Sequence, residues 1–124
     1  MHKERPKNLD LATVKFPVTA TASILHRVSG IIVFISLAIF MILLNLSLSS
    51  PVGFNRVMGY FDLLFVEFII WVILTGLAYH LVFGVRHLLQ DLGFWEEMTS
   101  ASWSAYCGFV LTLILSIFAG VLVW

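Results

Sequence analysis

Residues 31–48 read IIVFISLAIFMILLNLSL and contain no charged side chain. A helix that crosses the hydrocarbon core of a bilayer needs about 20 mostly apolar residues. The run exceeds that length when it is extended upstream to about Thr21, because only His26 and Arg27 interrupt it. The stretch therefore predicts a first membrane span over residues 21–49.

The same apolar character extends over the whole chain of 124 residues, which is 60% hydrophobic and 11% charged, with a mean hydropathy of +1.02. An ordinary soluble domain is about 45–50% apolar and about 25% charged. This chain lacks the polar side chains that would cover a folded surface in water, so the composition excludes a soluble globular domain. The 7 basic residues balance 7 acidic ones, and such a sparse, neutral set excludes a nucleic-acid-binding surface.

Two further apolar stretches follow the first span. Turn-forming Pro51 and Gly53 predict a short loop that leads to Tyr60. A second span is predicted over residues 60–90 and a third over residues 103–124, with a polar connection between them. We expect an all-α membrane protein whose three transmembrane helices pack with helices of a partner, because three helices alone enclose little core.

The distribution of basic residues predicts the orientation of these helices. Most of the 7 lie before or at the start of the first span: Lys3, Arg5, Lys7, Lys15 and Arg27. Cytoplasmic segments of membrane proteins carry an excess of Lys and Arg, so residues 1–20 are predicted to be a cytoplasmic segment that precedes a transmembrane domain over residues 21–124. The polar leader with its acidic residues fits neither a removable signal peptide nor a mitochondrial transit peptide. We therefore expect the inner membrane of a bacterium.

Cys107 is the single cysteine of the chain and lies among the apolar residues of the third span. A lone cysteine excludes an intramolecular disulfide. We expect its side chain to be a small buried hydrophobic group.

Ionisable side chains inside a span are costly and mark functional sites, and the second span carries several on one face. With successive residues about 100° apart around a helix, Gly76, His80 and Gly84 lie within about 40° of one another. His87 and Asp91 return to within about 20° of His80. The glycines leave room beside the His80 imidazole for a flat group such as haem, whose usual axial ligand is a neutral imidazole. The pattern fits equally a hydrogen bond from His80 across a helix interface, with the glycines allowing close packing.

A second polar cluster lies at the start of the first span. His26 and Arg27 follow Ser23 by three and four residues, so all three project over one broad face near the predicted cytoplasmic boundary. A hydroxyl and a guanidinium on one face offer hydrogen-bond donors to a small molecule with carbonyl oxygens, such as a quinone. The alternative for Arg27 is that its side chain extends to the lipid headgroups.

Four segments resemble a known family: RPKNLDL at residues 5–11, FP at 16–17, SILHRVSG at 23–30 and HLVFGVRHLLQD at 80–91. They closely resemble the cytochrome b membrane-anchor subunit of bacterial succinate dehydrogenase, which is respiratory complex II. The resemblance covers nearly the whole chain in length and layout, and the last two segments are its most specific part.

This resemblance implies a role for each polar residue. His80 would be the axial ligand of a haem b that is shared with a second small anchor subunit. His26 and His87 would be neighbours of the haem propionates. Ser23 and Arg27 would belong to the ubiquinone site, toward the cytoplasmic side of the membrane, and Asp91 with water is a candidate proton route.

The resemblance also implies the partners. In this family, succinate is oxidised at a flavin in a flavoprotein subunit, and electrons pass through an iron-sulfur subunit to the quinone. The chain would thus be a subunit of succinate dehydrogenase with no succinate site of its own. Two other functions remain open: a cofactor-free structural anchor, and a proton-relay subunit of another membrane complex. A relay would place ionisable groups through the full depth of the bilayer, whereas here they stop midway.

Overall fold

The computed structural model describes residues 16–124, and these residues form four helices and no strand. The helices are α1 (Val18–Ser49), α2 (Pro51–Phe61), α3 (Leu64–Asp91) and α4 (Met98–Val123). Three of them, α1, α3 and α4, are long and apolar enough to cross a membrane, which confirms the prediction of an all-α membrane protein. Most of the basic residues used to orient the chain fall in residues 1–15, outside the described residues, so the orientation stays a prediction.

The segment between the first two spans is a helix, so the short loop predicted there is wrong. α2 has 11 residues, about 16 Å of helix at 1.5 Å per residue, which is too short to cross a bilayer. The Ser50 hydroxyl accepts a hydrogen bond from the Gly53 amide at 3.0 Å, and Pro51 occupies the first turn. A serine followed by a proline here begins a helix instead of forming a turn. As a result α3 begins at Leu64, later than predicted.

A short connection reverses the chain between α3 and α4. Gly93 has a φ of +89° and Trp95 a φ of +58°, and the first of these lies in the region that favours glycine. α4 begins at Met98, before the predicted residue 103. The prediction counted only the strongly apolar run, whereas the helix also includes a first turn with hydroxyl side chains.

α3 is the central helix, because it packs against both α1 and α4. Phe83 of α3 is fully buried and forms the core with Ala22 of α1 and Ala105 of α4. Gly108 faces the same ring so closely that a Cβ atom there would lie 2.9 Å from Phe83 Cζ. The three spanning helices therefore meet around one phenylalanine.

The side of α4 that faces α3 is made of small residues. Its buried positions are Ala101, Ala105, Gly108, Thr112, Ser116 and Ala119. Small side chains let two helix backbones approach closely inside a membrane. Cys107 is exposed, so the prediction of a buried cysteine is wrong: one residue along a helix turns the side chain about 100° away from the packed face.

Most large apolar side chains of α1, α3 and α4 remain exposed. Hydrocarbon tails are as apolar as these side chains, so exposure to lipid carries no hydrophobic penalty. The same surface is available to further helices. Both uses agree with a bundle that is built for a bilayer and that does not enclose a large core of its own.

Candidate functional site

Three imidazoles meet where the first part of α1 packs against the last part of α3. The rings of His26 and His80 are stacked, with centroids 4.4 Å apart and an interplanar angle of 9°. The ring of His87 lies 5.1 Å from that of His26, tilted by 54°. Two of these histidines come from the face of the second span that the helical period predicted, and that face is directed at α1.

Side chains of α1 fill the space beside the glycines of this cluster. A Cβ atom on Gly84 would lie 3.4 Å from His26 Nε2, and one on Gly76 would lie 3.3 Å from Ile32 Cγ2. The space left by the two glycines therefore serves close packing of α1 on α3, so the expectation that these glycines make room for a haem is wrong. Ligation of a haem by His80 would use the ring nitrogen and not this space.

His80 is held by two oxygens of α1. Its Nδ1 lies 3.1 Å from Ser29 Oγ and 3.3 Å from the backbone oxygen of His26. The Ser29 hydroxyl donates its single proton to that same His26 carbonyl, at 2.7 Å. A carbonyl oxygen can only accept a proton, and the Ser29 oxygen can accept one as well. These two contacts favour the tautomer of His80 with the proton on Nδ1 and the lone pair on Nε2.

The second imidazole of the stack leaves a polar atom without a partner. His26 Nε2 is buried and makes no hydrogen bond within residues 16–124. Buried polar atoms in native proteins are almost always paired. This nitrogen therefore marks a place for a polar group that lies outside the described part of the chain, such as a water molecule or a bound cofactor.

The remaining predicted site residues lie at the same end of the bundle. Ser23 of α1 is half-buried, whereas Arg27 of α1 and Asp91 at the end of α3 are exposed. The structure thus brings the two clusters together at one end, and the roles assigned to them stay predictions.

Three residues that contribute to this end were assigned no role from the sequence. Ser29 contacts His80 as described, and the Tyr79 hydroxyl donates to the Ala22 carbonyl at 3.0 Å, which links α3 to α1. Arg86 is only 5% exposed. It donates hydrogen bonds to Ser104 Oγ at 3.0 Å, Gln90 Oε1 at 2.9 Å and the Ala101 carbonyl at 2.9 Å. The sequence does contain a pattern that could have indicated this buried arginine. Arg86 lies in an apolar stretch, and a glutamine follows it four residues later.

Comparison with known proteins identifies the family. A family model described as "Succinate dehydrogenase/Fumarate reductase transmembrane subunit" matches residues 1–119. The chain is 37% identical to the succinate dehydrogenase cytochrome b556 subunit of Coxiella burnetii, over 100% of both chains. It is 33% identical to the succinate dehydrogenase cytochrome b560 subunit of Marchantia polymorpha, over 92% of this chain and 90% of that one.

A third relative is the cytochrome b560 subunit of Reclinomonas americana, which is 29% identical over 98% of this chain and 88% of its own. The matches extend over nearly the full length, so they include both polar segments and all three spans. They confirm the resemblance that the motifs indicated. The chain belongs to the succinate dehydrogenase/fumarate reductase transmembrane subunit family.

Proposed function

We propose that this chain is a membrane-anchor subunit of succinate dehydrogenase that binds haem b with a second anchor subunit and forms part of the site of ubiquinone reduction. The relatives are cytochrome b subunits of that enzyme by name, and a cytochrome b contains haem b. The observation that carries the proposal is the position of His80 Nδ1, which lies within hydrogen-bond distance of two oxygens of α1. This arrangement favours the tautomer that has its lone pair on Nε2.

The residues present fit a haem. Metal-binding histidines characteristically use one ring nitrogen for the metal and donate the other N–H to a protein oxygen, and His80 is arranged in this way. The unpartnered Nε2 of His26 and the neighbouring imidazole of His87 are suited to the propionate edge. When bound, haem b takes up and releases one electron, with a potential set by its ligands and surroundings.

Ser23 and Arg27 are suited to a quinone. The Ser23 hydroxyl can donate a hydrogen bond to a quinone carbonyl oxygen, and the exposed guanidinium of Arg27 can stabilise the negative charge that develops on that oxygen during reduction. An arginine stays protonated under these conditions, so it does not supply the proton. Asp91 is exposed at the same end and can pass protons from water.

The rest of the complex follows from the family. A flavoprotein subunit would oxidise succinate, and an iron-sulfur subunit would deliver the electrons to the quinone held here. The basic residues of the N-terminal segment favour a cytoplasmic N-terminus in a bacterial inner membrane. Ser23 and Arg27 then lie toward the cytoplasm, and a reporter fused after Trp124 should be periplasmic. A cytoplasmic reporter would overturn this orientation.

The experiment that tests the haem assignment uses the purified complex of this chain with its partner subunits. We expect His80→Leu to abolish the b-type band of the reduced-minus-oxidised spectrum, because the leucine side chain offers no ligand. Thr75→Val is a matched control on the same helix, since Thr75 bonds to Ser116 of α4 and not to α1. Co-purification of the flavoprotein and iron-sulfur subunits verifies assembly. An unchanged haem spectrum in an assembled His80→Leu complex would contradict the proposal.

A further inference from the structure

The side-chain oxygen of Ser29, in α1, lies against Nδ1 of His80. This is the ring nitrogen that the proposed haem ligation does not use. Ser29 is 5% exposed, and its Oγ is 3.1 Å from His80 Nδ1. The residues are 51 positions apart in the chain, so this contact exists only because α1 and α3 pack together.

The hydroxyl of Ser29 has an acceptor within its own helix. It donates to the His26 carbonyl at 2.7 Å, and that donation uses the only proton that a serine hydroxyl has. What the oxygen presents to His80 is therefore a lone pair. A serine that was free to rotate could instead donate to Nδ1 and leave the ring proton on Nε2, which would block metal binding.

The other contact to the same nitrogen is weaker. The His26 carbonyl lies 3.3 Å from Nδ1, beyond the usual N–H···O range of about 2.7–3.2 Å. Ser29 Oγ is within that range. The His26 imidazole is stacked on the face of the ring, so it does not accept the in-plane Nδ1 proton. Ser29 is thus the principal acceptor.

We propose that Ser29 is a positioning residue for haem ligation: its oxygen accepts the Nδ1–H proton of His80, fixes the tautomer, and lowers the reduction potential of the haem. This inference rests on the proposed role of His80 as haem ligand. A hydrogen bond accepted from Nδ1–H increases the electron density on the imidazole and makes Nε2 a stronger donor. A stronger donor stabilises oxidised iron more than reduced iron.

The test compares Ser29→Ala with Ser36→Ala in the purified complex. Ser36 lies two turns further along α1 and makes the same type of intrahelical bond, to the Val33 carbonyl at 2.8 Å, but no bond to α3 within the described residues. The readout is the haem midpoint potential from a redox titration, together with the haem content per complex. Neither quantity depends on enzyme turnover.

We expect Ser29→Ala to shift the haem equilibrium about fivefold toward the reduced form, the effect of one ordinary hydrogen bond. That shift equals about 40 mV upward, because tenfold corresponds to about 59 mV for one electron. Ser36→Ala should leave the potential unchanged, and Ser29→Thr, which retains the hydroxyl, should restore it. If haem is lost in Ser29→Ala, retention in Ser29→Thr would still assign the effect to the hydroxyl.

Two results would overturn the inference. One is a Ser29→Ala complex with full haem content and an unchanged potential. The other is loss of haem in both Ser29→Ala and Ser29→Thr, which would assign the effect to packing. Either result leaves the ligand role of His80 intact, because that role is tested separately by the spectrum of His80→Leu.

Discussion

The α3–α4 interface and the α1–α3 interface differ in how their polar groups are paired. Between α3 and α4, Trp71 donates to the Ser116 carbonyl at 3.0 Å, and Thr75 shares a 2.8 Å hydrogen bond with the Ser116 hydroxyl. Arg86 bonds to α4 through two of its nitrogens. Between α1 and α3, by contrast, His26 Nε2 is buried without a partner within residues 16–124.

This difference indicates that the α3–α4 interface stabilises the bundle, whereas the α1–α3 interface is suited to a binding site. A polar group inside a bilayer is costly unless it is paired. The polar side chains named between α3 and α4 find their partners inside this chain, so that interface stabilises the bundle by itself. The α1–α3 interface retains an imidazole nitrogen without a partner among residues 16–124, next to the proposed haem ligand His80. Substitutions at the two interfaces should therefore have different consequences.

The largest expected effect is at Ser23 and Arg27, where we propose that the quinone binds. Arg27→Leu should lower quinone reductase activity about 100-fold, because it removes the charge that stabilises the reduced oxygen. Ser23→Ala should lower it about tenfold through the loss of one hydrogen bond. The control is succinate oxidation by an artificial dye acceptor, which bypasses the quinone. Equal loss of both activities would show damage to assembly and would contradict the assignment of these residues to a quinone site.

A smaller effect is expected at the α3–α4 interface. Gly108→Ala places a methyl group about where a Cβ atom would be 2.9 Å from the buried Phe83 ring, and overpacking of this kind costs about 2 kcal/mol. The thermal unfolding temperature of the complex should fall while the haem spectrum stays the same. Gly59→Ala is a matched control, since a Cβ atom there has nothing within 4 Å. Loss of haem at an unchanged unfolding temperature would contradict the division between the two interfaces.

The smallest effect is expected at Gly30, where α1 lies against the ring of His80, the proposed haem ligand. A Cβ atom on Gly30 would lie 3.2 Å from His80 Cε1, so Gly30→Ala should displace the imidazole by a few tenths of an ångström. Disturbing the support of a metal ligand weakens metal binding about tenfold at the lower limit. Haem retention during dilution or detergent washing measures the change, again with Gly59→Ala for comparison. Full retention in Gly30→Ala would show that the ring is not held by this contact.

The spans could be predicted from hydropathy because each apolar residue favours the bilayer independently of its neighbours. The helix boundaries were predicted least accurately where the hydropathy was not strongly apolar. The segment 51–61 begins with a proline and is too short to span, so it was interpreted as a loop, although Ser50 and Pro51 form a regular helix start. α4 likewise begins before its strongly apolar run.

The candidate site could be predicted in part. The period of an α-helix was sufficient to place His80 and His87 on one face, and the structure directs that face at α1. The glycines on the same face were open to two interpretations, and only the packed helices show that Gly84 faces His26. The contact between Ser29 and His80 could not be predicted, because it depends on the rotation and depth at which α1 meets α3.

Hydropathy and helical periodicity are sufficient to predict that this chain crosses a membrane as helices and that its polar residues gather toward one end. Both follow from transfer free energies and a helical period, which are local properties of the chain. The packing of the helices is needed to show that Arg86 is paired with α4, that His26 Nε2 is unpaired within the described residues, and that Ser29 Oγ lies against His80 Nδ1. These depend on which atoms meet across two helices, and hydrogen bonds exist only at distances that packing sets.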